Sequence, residues 1–159
     1  MSDNDWIGKR GELYFSLLIT GKCDNQRWFE GDFEGAKAET KDFTVNLVEP
    51  TSTYAVFYVQ VKGTTRGYSG KGAKRKLKAK VSKADVAKLK RQPGPTFVAG
   101  IDIETGVGYL YAITAKCGDT LNAIPCTHPI DCTLIKKLWS KVDRYWAKRN
   151  MLAKKSFLE

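Results

Sequence analysis

The chain has 159 residues, is 42% hydrophobic and 28% charged, and carries a formal net charge of +10. That length suits a single domain over residues 1–159 with a core of its own, and the composition excludes a low-complexity chain or a scaffold that needs disulfide or metal staples. No apolar run approaches the ~20 residues that span a bilayer, and the acidic start Met1-Ser2-Asp3-Asn4-Asp5 lacks the features of a signal peptide, so a cytoplasmic protein with no membrane partner is expected.

Asp5 is placed to cap a helix over residues 6–20. Ile7, Gly11, Tyr14, Phe15 and Leu18 recur there at steps of three or four and mark one buried face. Gly21 is a natural stop. Residues 22–41 are turn-rich, with room for a short strand at Arg27-Trp28-Phe29-Glu30. Phe43 to Val48 alternates apolar and polar and predicts a strand with one wet face. Glu49-Pro50-Thr51-Ser52 breaks it. Tyr54 to Val61 is β-branched and aromatic throughout, as in a central strand buried on both faces, with Phe43–Val48 as its antiparallel neighbour. The run ends in Lys62-Gly63. A glycine-rich, flexible connection follows to Gly72, without the G-K-[ST] ending of a phosphate-binding loop.

Most of the charge sits next. Residues 71–91 hold ten Lys or Arg and one acid, Asp85, whereas residues 1–70 sum to −2 and residues 92–159 to +3. Lys76 to Val81 alternates, which puts Lys76, Lys78 and Lys80 on one face of a strand and Leu77, Ala79 and Val81 on the other. A basic stripe of this kind suits a polyanion, because each neutralised phosphate releases condensed counterions. An anionic membrane surface would attract it too, and a merely solvated face is the bland alternative. The favoured reading takes Lys71, Lys74, Arg75, Lys76, Lys78, Lys80 and Lys83 as contacts to the phosphates of a polyanion.

Ser82 and Asp85 have the spacing of a capping box before a short basic helix over 83–91, stopped by Pro93-Gly94-Pro95. Thr96 to Ile103 and Val107 to Thr114 predict a hairpin across Glu104-Thr105-Gly106. After a loose loop, residues 132–152 make the longest helix, with a stripe of Leu134, Ile135, Leu138, Val142, Tyr145, Trp146 and Met151 or Leu152. Trp139, Tyr145 and Trp146 suit base stacking, but their helical spacing favours the core, a homodimer contact or a larger partner protein. The elements predict an α/β chain of the α+β, mixed-sheet kind.

Three landmarks carry possible chemistry. Glu12 lies in the first helix, Asp42 stands just before a strand, and Gln60 and Lys62 close the central strand. Gln60 and Lys62 are two apart and share a face. Phosphodiester hydrolysis calls for a hard cation held by a few oxygens. Glu12 and Asp42 offer carboxylates, the Gln60 amide a neutral oxygen, and Lys62 a charge to place water or stabilise the attacked phosphate. The plain alternatives are an exposed helix acid for Glu12, a turn residue for Asp42 and a wet strand end for Gln60 and Lys62.

Gly8-Lys9-Arg10-Gly11-Glu12, Asp42 ahead of a strand, and Tyr58-Val59-Gln60-Val61-Lys62-Gly63 resemble the signature of the PD-(D/E)xK nuclease superfamily. The likeness is to a small prokaryotic branch with a G-x-x-G-E helix and an apolar-Q-V-K strand. It implies a restriction-endonuclease-like core over about residues 5–115 with a C-terminal helical extension at about 131–153. It further implies a Mg2+- or Mn2+-dependent DNA endonuclease with Glu12, Asp42 and Gln60 as metal ligands and Lys62 assisting the water, in defence against foreign DNA or in DNA repair. Gln60 stands where the second acid of the motif is usual. Ala38-Glu39-Thr40-Lys41-Asp42 lacks the first Asp of the D-x-x-x-D pattern, although Asp32, Glu34 and Glu39 are near. A binding protein without activity, or an accessory subunit with the same fold, is the alternative. Cys23, Cys117, Cys126 and Cys132 are expected as free thiols. Zinc at Cys117, Cys126, His128 and Cys132 is disfavoured, for want of a C-x-x-C knuckle.

Overall fold

A computed structural model describes residues 2–33, 42–52 and 54–157, and beyond Arg149 only the course of the last helix. Helix α1 (Asp3–Thr20) leads to β1 (Phe29–Phe33), β2 (Phe43–Leu47) and β3 (Val56–Thr64). Two short strands, β4 (Tyr68–Ser69) and β5 (Lys76–Leu77), precede α2 (Lys83–Lys90). Then come β6 (Thr96–Asp102), β7 (Gly108–Ala112), β8 (Ile124–Pro125) and α3 (Cys132–Phe157). A five-stranded mixed sheet has the order β1-β2-β3-β6-β7, and a three-stranded sheet the order β4-β5-β8. Only β3 and β6 run parallel in the large sheet, joined across α2; the other pairs are antiparallel.

The central strand, expected over Tyr54–Val61, runs instead over Val56–Thr64, with β2 as its antiparallel neighbour and β6 on its other side. Gln60 and Lys62 therefore lie within it rather than closing it, because the pairing with β6 continues to Thr64. Six successive residues from Val56 are buried. Odd-numbered β3 residues Phe57, Val59 and Val61 join α1 and α3 in one apolar cluster, with Phe15, Phe29 and Phe57 fully enclosed. Each such side chain contributes roughly 1.5–3 kcal/mol by burial. The other face of the sheet, through Val98 and Tyr109, packs on Leu77, Ala79, Val81, Val86, Leu89 and Ile124.

Several local expectations are corrected. Ser2, not Asp5, is the N-cap of α1; Asp5 is its reciprocal partner three residues on, so the helix starts earlier than residue 6. The alternation at 76–81 is real in burial, with Leu77, Ala79 and Val81 inside and the lysines out, but only Lys76 and Leu77 are in a ladder. The reason is a short partner: β8 offers two residues, and the amide of Ala79 bonds the carbonyl of Leu77 in its own chain. The cysteines are not all free. Cys23, just after α1, is disulfide-bonded to Cys132, the first residue of α3, across a separation of 109 residues. Sequence order hid that proximity, and closing so long a loop in the unfolded chain is worth about 4–5 kcal/mol on the entropic account. Cys117 and Cys126 are free.

Helix α3 is tied to the β2–β3 connection and the start of β3 by side chains along one helical face. Trp139 Nε1 donates to Val48 O at 3.1 Å and Trp146 Nε1 to Val56 O at 2.7 Å. Asp143 accepts from the Thr51 amide at 2.8 Å and hydroxyl at 2.6 Å. These indoles therefore serve the fold of their own chain. No helix among the described residues is long and apolar enough to cross a membrane.

Glycines set how closely α1 lies on β3. A Cβ at Gly11 would stand 3.2 Å from Gly63 Cα, and one at Gly63 would stand 2.8 Å from the Ile7 carbonyl oxygen and 3.0 Å from Ile103 Cδ1. Gly63→Ala is thus expected to force helix and strand apart and to destabilise by about 1–3 kcal/mol. Urea unfolding checks it; an unchanged midpoint would show that the contact yields freely.

Candidate active site at the end of the central strand

Strand β2 runs antiparallel to β3, and its first residue lies beside the middle of β3. Phe43 pairs with Val59, and there the ladder stops. Asp42 takes over. Its amide donates to Val59 O at 2.9 Å, and its Oδ2 accepts from the Val61 amide at 2.7 Å. A carboxylate thus satisfies a strand donor that β2 no longer reaches, which holds the acid at the strand end.

Gln60 and Lys62 share the face of β3 turned toward α2. Gln60 is 6% exposed. Its Nε2 donates to Asp85 Oδ2 at 3.3 Å, and Lys62 Nζ lies 3.5 Å from the same oxygen. Gln60 Oε1 is buried and has no hydrogen-bond partner among the described residues. A buried, unmatched carbonyl oxygen is costly, and it marks a place where a cation or donor would be favourable.

Asp85 is the residue that sequence reasoning missed. Ser82 Oγ accepts from the Asp85 amide at 3.1 Å, as a capping box requires. The return bond is absent: the Asp85 carboxylate goes to Gln60 and Lys62. Its signal was available, since it is the single acid in the basic 71–91 segment, but its helical position offered a sufficient local explanation. The β3–α2–β6 crossover delivers it, because α2 returns along the sheet with its first turn beside Gln60 and Lys62 of β3.

Glu12 follows Gly11 on α1, where the glycine contact brings the helix against Gly63. Its carboxyl is pushed up by burial and then by the Asp42 charge, with Lys9 opposing. Asp42 is likewise pushed up by burial, against the Val61 amide and Lys62, with Asp85 adding repulsion. The structure therefore gathers Asp42, Gln60, Lys62 and Asp85, with Glu12 within electrostatic reach of Asp42. No group of three or more His, Cys, Asp and Glu among the described residues stands ready to hold a metal ion; oxygen donors here include the Gln60 amide. Glu34, Glu39 and Lys41 lie outside the described residues, and Asp32 accepts from Asn46 Nδ2 on the neighbouring strand. Cys132 is spent in its disulfide and is no thiolate ligand beside Cys117, Cys126 and His128.

The basic segment begins where β3 ends. Thr64 Oγ1 donates to Lys78 O at 2.9 Å. Tyr68 OH donates to buried Asp102 at 2.9 Å, and Arg75 stacks on the Tyr68 ring at 3.8 Å. Burial and then hydrogen bonding to Tyr109 and Asp102 push the Tyr68 hydroxyl far up, so it stays a donor. Lys71, Lys74, Arg75, Lys76, Lys78, Lys80 and Lys83 are all exposed. An apolar cleft of about 350 Å³ under α3, lined by Phe97, Leu110, Leu138 and Val142, contains none of the site residues.

Comparison with protein-family models, curated proteins and solved structures finds no match.

The raised Glu12 carboxyl carries a pH signature. The folded chain holds that proton at a higher pH than the unfolded chain does. Stability is lost as pH rises through the folded value and regained below the unfolded one. Glu12→Gln is expected to melt above wild type near neutral pH, the gap closing as pH falls into the ordinary carboxylate range. Melting curves across that range check it; a gap independent of pH would place Glu12 outside the acid cluster.

Proposed function

We propose that the chain is a divalent-metal-dependent endonuclease that hydrolyses phosphodiester bonds in DNA, on a restriction-endonuclease-like core. The observation that carries this reading is the meeting of Asp42, Gln60 and Lys62 where the β2–β3 ladder ends, with buried Gln60 Oε1 lacking a partner among the described residues. The order of helix, strands, basic helix and hairpin supports the likeness of the Gly-x-x-Gly-Glu12 and Gln60-Val-Lys62 motifs to PD-(D/E)xK nucleases.

The donor set fits a hard cation. Two carboxylates pushed up by burial are short of positive charge, and an amide oxygen is short of a partner. Glu12, Asp42 and Gln60 would hold Mg2+ or Mn2+, which when bound supplies Lewis-acid activation of water and offsets phosphate charge. Lys62 places a cation where charge develops on the attacked phosphate, and its ion pair with Asp85 aims it. Lys76, Lys78 and Lys80 grip the phosphate backbone without reading bases. Their loop joins β3 to α2, so the gripped backbone runs past Lys62.

A second reading, a DNA-binding protein without activity, is favoured by one observation: Gln60 replaces an acid, and no group of three acids is assembled among the described residues.

Cleavage of plasmid, linear and single-stranded DNA with Mg2+ or Mn2+ separates the two. Lys62→Ala and Asp42→Asn should abolish cleavage while DNA binding survives on the 71–91 charge. Equal cleavage by Lys62→Ala would move the active site elsewhere. An inactive wild type that gains activity in Gln60→Glu would establish the second reading.

Replacing Lys76, Lys78 and Lys80 by Ala should weaken binding alike for all DNA sequences and flatten the log-affinity against log-salt slope by up to about three. An unchanged slope would make them a solvated face.

A further inference from the structure

We propose that Asp85 is a metal ligand, the acid that the Gln60-Val-Lys62 strand lacks, supplied instead from the first turn of α2. The proposal rests on the nuclease reading and adds to it a residue outside the motif that suggested it.

Gln60 and Asp85 behave as one unit. The amide nitrogen of Gln60 is turned to Asp85 Oδ2 at 3.3 Å, which leaves Oε1 as the unmatched atom of a side chain only 6% exposed. The second Asp85 oxygen, Oδ1, has no hydrogen bond among the described residues. The pair therefore presents one buried neutral oxygen without a partner and one charged oxygen from a carboxylate that keeps 28% of its side chain exposed, both on the α2 face of β3. A glutamate at 60 would present a charged oxygen from the strand itself. Gln60 cannot, but it orients a carboxylate that can.

A structural role alone accounts poorly for this arrangement. As the third residue of α2, Asp85 would stabilise the helix by returning a bond to the Ser82 amide, as Asp5 does to Ser2 in α1. It gives up that bond and turns inward, to stand near Asp42, whose charge repels it. A single ion pair with half-exposed Lys62 returns little at 3.5 Å. A hard cation would match both carboxylates at once and take Gln60 Oε1 as a neutral oxygen. Asp42 comes from the edge of β3 where β2 ends and Asp85 from the helix packed over its face, near enough for their charges to repel, so one cation would answer both.

The test is binding of Mn2+ alone to the full chain, read from the loss of the free-ion electron paramagnetic resonance signal, with no DNA and no activity measurement. Wild type, Asp85→Asn, Asp85→Glu and the double variant Gln60→Glu/Asp85→Asn are compared, with circular dichroism melts confirming that each is folded. Asp85→Asn keeps an acceptor for Gln60 and removes only the charge; its Mn2+ affinity is expected to fall about tenfold or more. The double variant returns a carboxylate from the strand and is expected to recover most of the loss, and Asp85→Glu to retain binding. If Asp85→Asn binds Mn2+ as wild type does, or the double variant stays as weak as Asp85→Asn, Asp85 is only the counter-ion of Lys62 and the proposal falls while the nuclease reading stands. If wild type itself binds no Mn2+, the metal-dependent reading falls and takes this proposal with it.

Discussion

The end of one β-ladder governs the site. Strand β2 stops at Phe43, opposite Val59, while β3 runs on to Thr64. The Val61 amide is left facing a position with no strand, and the Asp42 carboxylate fills it at 2.7 Å. A buried amide must find an acceptor, so the acid is held by the backbone itself. Everything else at the site is placed relative to that strand end. Gln60 and Lys62 alternate with Val61 onto the opposite face, α1 lies close on Gly63, and α2 drops its first turn beside them.

The arrangement concentrates like charge where it is hard to solvate. Burial raises the carboxyls of Glu12 and Asp42, and mutual repulsion adds to it. Lys62 answers part of that charge by pairing with Asp85. A fold that keeps such a cluster gives up stability at that point and regains it in the aromatic and aliphatic core under α1 and α3. The same core leaves the other face free for α2 and the small sheet, which hold the basic segment.

That basic segment is not loosely attached. Its inner alternate residues, Leu77, Ala79 and Val81, are buried, and Thr64, Tyr68, Asp102 and Tyr109 bind it to the ends of β3 and β6. The lysines between them are therefore held outward on a course that starts and finishes at site residues. Arg75 is partly committed to the Tyr68 ring, so the lysines are the freer cations of the set.

What the sequence by itself determined is what depends on neighbours along the chain. Periodicity located the central strand, the hairpin and the long helix, because burial of one face repeats every two or 3.6 residues. It also singled out Asp42, Gln60 and Lys62, since polar residues are visible where an apolar run begins and stops, although β3 itself continues to Thr64. Tertiary structure decided what depends on distant segments meeting. Cys23 reaches Cys132 only because α1 and α3 share a face of the sheet. Asp85 joins Gln60 and Lys62 only because the parallel pair β3–β6 forces a crossover that returns α2 to the end of β3. Its local setting as a helix-capping acid concealed that contact. A capping position is a matter of three residues along the chain, whereas the partner of its carboxylate is set by how the helix packs.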